Sequence, residues 1–211
     1  MQRAFFPGGN GLFHGSNGCL PVNGTVVLGS NLGSLADYLN ADGTLKRQDE
    51  TQTSPTWRGL YRMLRPRTGI QLEQCFFTNA WPFLHQGNSN ETKGLISAWL
   101  VDRTLMNKCL NFFERSVSVI RPKLVVALGT GAPAFLSHLW PDKLRAWRAN
   151  SIAAIDRLPI EVIDFEGRHV VCTAITHPSH SNSWQRRPPF NGVQGEIDIV
   201  HQAAVRAGIS G

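Results

Sequence analysis

The chain predicts an α/β fold: a mainly parallel sheet of four strands covered by helices on both sides. Three observations carry this. Four short apolar runs, "TVVLG" (25–29), "CFFTN" (75–79), "KLVVALG" (123–129) and "HVVCTAIT" (169–176), are rich in Val, Ile and Phe without polar alternation, as strands buried on both faces require. Helix-like segments separate them, and a strand–helix–strand order implies parallel pairing. Finally, 211 residues at 42% apolar content suffice for one compact domain with a substantial core.

The Gly/Asn-rich "PGGNGLFHGSNGCLPVNG" reads as irregular structure, so residues 1–24 precede the core of a single domain spanning 1–211. Helices are expected over "PTWRGLYRMLR" (55–65), within residues 94–120, over "APAFLSHLW" (132–140) and over "GEIDIVHQAAVRAG" (195–208). In the long stretch Leu105, Cys109, Phe112 or Phe113, Val117 and Ile120 recur at three- and four-residue steps, which places them on one helical face. The segment "PIEVIDFEGRHVVC" allows a hairpin turning at Glu166 and Gly167, which would give the sheet an antiparallel edge strand.

Lysine and arginine number 21 against 15 acidic residues, a net charge of +6, which favours a polyanionic partner such as nucleic acid. The N-terminal residues lack a signal-peptide core, and no run approaches the roughly 20 apolar residues of a membrane span. A cytoplasmic, membrane-free protein is the expectation. Cys19, Cys75, Cys109 and Cys172 are widely separated, unlike the paired spacing of zinc or iron–sulfur ligands, so free thiols and no metal or other cofactor are expected.

Each core strand is followed at its carboxyl end by small or polar residues: Ser30 and Asn31, Asn79, Thr130 and Gly131, then His177 and Ser179. In an open parallel sheet those ends share one edge, where the loops form the binding crevice. Pro178 disfavours helical geometry at His177 and keeps it extended, aimed into that crevice. A lone histidine there would do no more than cap the strand. Asn79 offers the donors and acceptor needed to read a base edge, although asparagine is also common in turns. "GSNLGS" (29–34) permits a tight turn presenting Asn31, and it lacks the third glycine of a dinucleotide fingerprint and the lysine of a phosphate loop. "LGTGAPAF" places glycine and Thr130 before a helix, which fits equally a simple helix start and a set of backbone N–H groups that hold a phosphate.

Together and in this order, "VVLGSNLGS", "CFFTNAWP", "RPKLVVALGTGAPAFL" and "THPSHSN" resemble the motifs of the uracil-DNA glycosylase superfamily, from about Thr25 to the C-terminal helix. The resemblance implies a three-layer α/β/α sandwich and a monomeric enzyme that hydrolyses the N-glycosidic bond of uracil in DNA after flipping the base out. It also implies roles. Asn31 orients water or contacts the sugar, Asn79 reads uracil with Ser30 beside the pocket, and His177 bonds uracil O2. Ser179 holds DNA phosphate, and "HSNSWQRR", containing His180, Ser181, Asn182, Arg186 and Arg187, enters the duplex. The sequence departs from the pattern at Leu32, where proline is expected, and lacks the usual Phe segment that stacks on uracil; Tyr38 is the nearest aromatic. Further cations lie at Arg62, Arg65 and Arg67 and at Lys143, Arg145 and Arg148, and Asp37 or Asp42 offers a carboxylate near the first motif. Two other functions fit these departures: a glycosylase for hypoxanthine or mismatched thymine, and a catalytically silent nucleic-acid or nucleobase-binding protein.

Overall fold

The computed structural model describes residues 21–31, 42, 55–64, 68–70, 75–82, 102–148, 151–178 and 195–209. In chain order the elements are β1 (Thr25–Asn31), α1 (Pro55–Leu64), β2 (Cys75–Trp81), α2 (Arg103–Ile120), β3 (Leu124–Leu128), α3 (Gly131–Leu139) and α4 (Pro141–Leu144). A 3-10 turn (Arg145–Trp147), α5 (Ile152–Ile155), β4 (Glu161–Phe165), β5 (Arg168–Ile175) and α6 (Gly195–Arg206) follow. The sheet has five strands in the order β2-β1-β3-β5-β4.

The first four of these strands are parallel, and β4 runs antiparallel to β5. The expected count of four is therefore corrected to five, because "EVIDF" pairs along its whole length with the start of β5. Phe165 faces Arg168 across a two-residue loop. Glu166 and Gly167 both adopt left-handed geometry, φ 53° and 71°, the backbone that closes a tight hairpin without splaying its strands.

Apolar side chains on each strand divide between two cores. On one side α2 contributes Cys109, Phe113, Val117 and Ile120, with Met106 added, and α3 contributes Phe135 and Leu136, against Val26, Leu28, Val125, Ala127 and Cys172 of the sheet. Met106 is buried while Leu105 is only half-buried, and the choice between Phe112 and Phe113 falls to Phe113. Phe113 meets Phe135 edge-on at 5.7 Å, and Trp140 bridges Phe113 and Phe165 at 6.4 and 5.9 Å. On the other side Leu60, Met63 and Leu64 of α1 and Ile199, Val200, Ala203 and Ala204 of α6 cover Val27, Phe77, Val126, Leu128 and Ile175. These layers make the three-layer α/β/α sandwich.

Local chemistry sets the helix ends. Asp102 caps α2 by accepting from the Leu105 N–H at 3.1 Å, satisfying a donor that the first turn cannot use. Arg121 ends it in the left-handed region at φ 52°, and Pro122 cannot continue a helix. Residues 94–101, the first part of the expected long helix, lie outside the described residues, and the described helix begins at Arg103.

Candidate functional site

Because β2, β1, β3 and β5 are parallel, their carboxyl ends lie along one edge, and Ser30, Asn31, Asn79, Thr130 and His177 lie at these ends. Two of them sit differently from expectation. Asn31 is not in a tight turn but is the last residue of β1, paired with Trp81. Asn79 does not end its strand: β2 continues through Ala80 to Trp81, and Asn79 lies opposite Gly29 with only 1% of its surface exposed. The Asn31–Trp81 pairing extends both strands by two residues and carries Asn79 inside the protein. Strand alternation puts Asn79 on the same face as Phe77, the face covered by α1 and α6, whereas Trp81, the partner of Asn31, packs against the opposite core. Gly29, lying opposite Asn79, adds no side chain of its own. The Ser30 hydroxyl donates to the Leu128 carbonyl at 3.5 Å, tying the ends of β1 and β3 together.

His177 follows β5 and is half-buried. Its ring lies over Gly129, where an added Cβ would stand 3.4 Å from the His177 Cβ and 3.8 Å from its Cδ2. Gly129 also has φ +70° and donates its N–H to the Ile175 carbonyl at 2.9 Å. Only glycine holds that turn without strain. The next residue, Pro178, packs on α1 at Gly59: a Cβ there would approach the Pro178 carbonyl oxygen to 2.5 Å and its Cβ to 2.7 Å. Residue Thr176, on the other side of His177, donates its N–H to Glu196 Oε1 at 3.1 Å and its hydroxyl to Asp156 Oδ1 at 3.4 Å. Both carboxylates are buried, Glu196 at 0% and Asp156 at 5% exposure. Gly59, Asp156 and Glu196 carry no signal in the sequence alone; an acidic residue in a helical first turn, as Glu196 is, looks like ordinary dipole compensation.

Thr130 precedes α3 at the same edge, half-buried, and its side chain makes no capping bond to the helix. Neighbouring β-strands lie about 4.8 Å apart, so three steps place β2 and β5 roughly 14 Å apart. Asn79 and His177 thus flank the edge from β2 to β5, with Asn31 between them on β1. A polar cleft lined by Asn23, Thr25, Ile70, Lys123 and Gly208 lies at the opposite edge, where β1 and β3 begin, and Asn31, Asn79, Thr130 and His177 take no part in it.

Several expected site residues lie outside the described residues: Tyr38, Ser179, His180, Ser181, Asn182, Arg186 and Arg187, together with Asp37, Arg65 and Arg67. Asp42 is exposed. Lys143, Arg145 and Arg148 are exposed as well, but α3 has by then carried the chain away from the crevice: Trp140 already packs on Phe165, at the amino-terminal edge of β5. Cys75, Cys109 and Cys172 are free and buried, and burial pushes the thiols of Cys109 and Cys172 up, so they stay protonated. No group of three or more potential metal ligands occurs among the described residues.

Residues 51–194 match the family described as the uracil DNA glycosylase superfamily, a match covering more than half of the chain. The chain belongs to that superfamily. The matched span contains Asn79, Thr130 and His177, whereas β1, with Ser30 and Asn31, lies before it. Comparison with curated proteins gives no match. Membership implies a DNA glycosylase-type fold and DNA as the bound partner, and no described helix is long and apolar enough to cross a membrane.

Proposed function

We propose that this superfamily member hydrolyses the N-glycosidic bond of uracil in DNA, acting as a monomeric cytoplasmic base-excision repair enzyme and leaving an abasic site. The observation that carries the reading is that Asn31 on β1, Asn79 on β2 and His177 just past β5 lie along one sheet edge.

The chemistry follows from the bond. When C1′–N1 breaks, its electron pair stays on the pyrimidine and positive charge develops on the sugar. His177 donates to O2 and Asn79 bonds the N3/O4 edge, so both stabilise the departing anion. Removing one such preorganised donor costs about 3–4 kcal/mol of transition-state stabilisation in studied enzymes. Water then attacks C1′ and loses a proton, which through solvent neutralises the released uracil anion, so the products are the abasic hemiacetal and uracil. Asn31 positions the water by hydrogen bonding, because an amide does not take a proton near neutral pH. The base must first leave the stack, which costs a few kcal/mol, and Arg186 and Arg187 hold the strand while it does.

The test is incubation of the purified protein with a single-uracil oligonucleotide followed by alkali. Strand breaks confined to the uracil position are expected. Breaks at hypoxanthine or mismatched thymine instead would reassign the base, and retention on DNA without breaks would make the protein a silent binder.

A further inference from the structure

The geometry points to Asp156 and Glu196 as positioning residues that set His177 in the site through Thr176. This rests on the proposed base release at His177 and adds what holds that imidazole in place.

Strand β5 ends at Ile175, so the Thr176 N–H has left the sheet ladder and needs another acceptor. Glu196, in the first turn of α6, provides it at 3.1 Å. Asp156, just past α5, takes the Thr176 hydroxyl at 3.4 Å. Each acceptor lies 20 residues from Thr176, one before it and one after, and they come from different helices. Burying a carboxylate is costly unless its bonds are made, yet this fold buries two around the residue directly before His177. The residue directly after it, Pro178, is seated on Gly59, and the ring itself lies over Gly129. The chain is thus fixed on both sides of the histidine. Misplacing a reacting group by about 1 Å can cost on the order of 100-fold in rate, so the bonds at Thr176 belong to the working of the site as well as to the stability of the sheet end.

Three variants test this: Glu196→Ala, Glu196→Gln, whose amide oxygen can still accept from the Thr176 N–H, and Thr176→Val, which keeps shape while losing the hydroxyl. Single-turnover base release, oligonucleotide affinity and the imidazole resonances of His177 are measured well below each variant's melting temperature. Glu196→Ala and Thr176→Val are expected to slow base release about 10- to 100-fold and to move the His177 resonances. Their DNA dissociation constants are expected to stay within about two-fold of the parent, the signature of an effect on the chemical step. Glu196→Gln is expected to restore most of the rate. Lower melting temperatures with unchanged rates and unchanged resonances would reduce the two carboxylates to structural roles and overturn the inference. The resonances separate this from the function itself: if the parent protein releases no base, base release falls, while displaced His177 signals in the variants still support positioning and undisplaced ones overturn it. Should Glu196→Ala not fold, Thr176→Val carries the same outcomes.

Discussion

At the scale of single residues, three side chains carry the proposed chemistry and each gives a separable result. His177→Ala and Asn79→Ala each remove a hydrogen bond to the departing base, so each is expected to lower the single-turnover rate about 10²- to 10³-fold. A stopped or quenched time course on a uracil oligonucleotide checks this, and unchanged rates in both would remove their roles. Asn31 differs, since its amide can orient water but not take its proton. Asn31→Asp is therefore expected to accelerate base release by about ten-fold or more, because a carboxylate both accepts a proton and faces the developing sugar cation. Asn31→Ala is expected to lose the chemistry while keeping DNA affinity; loss of affinity alone would reassign it to binding. The position of His177 at the strand end was legible in the sequence because Pro178 disfavours the helical alternative. Its supports were not. Gly59 looks like any helix glycine until Pro178 is found against it, and Glu196 becomes informative only when Thr176 arrives beside it from 20 residues away.

At the scale of elements, apolar runs and helical spacing were enough to find every core strand, since Val- and Phe-rich stretches buried on both faces leave little else to form. The fifth strand was foreshadowed by the Glu166–Gly167 turn but hidden by its half-exposed pattern. The strand ends were harder to read. Ser30, Asn31 and Ala80 have no strong strand preference, and only the pairing of β1 with β2 keeps this stretch extended. Residues 141–158 likewise gave no periodic signal, because their short helices are held by Leu144, Trp147 and Ile155 plugging the core rather than by an amphipathic stripe. In α2 the key contact is Phe113, 1% exposed and edge-on to Phe135. Phe113→Ala is expected to destabilise the fold by about 3–5 kcal/mol, measured by urea unfolding. A loss below 1 kcal/mol would show that this ring is not a principal contact between α2 and α3.

At the scale of the whole molecule, the net charge of +6 bears on DNA through its distribution. Arg58 is exposed and adjoins Gly59, the point of α1 that meets Pro178 next to His177. Lys143 leaves the far edge of the sheet. Arg58→Ala is expected to weaken binding across sequences and to reduce the slope of log affinity against log salt by about 1 unit, whereas Lys143→Ala is expected to leave both nearly unchanged. Fluorescence anisotropy over a salt series decides this, and equal effects from the two variants would mean that charge acts without regard to place. Asn79, Asn31 and His177 come from β2, β1 and β5, and β3 stands between the last two in the pairing order. Nothing smaller than the full four-strand array can assemble the trio, so there is no partly working fragment to fall back on. Heat should therefore switch the protein off all at once, with catalytic loss and melting sharing a single midpoint.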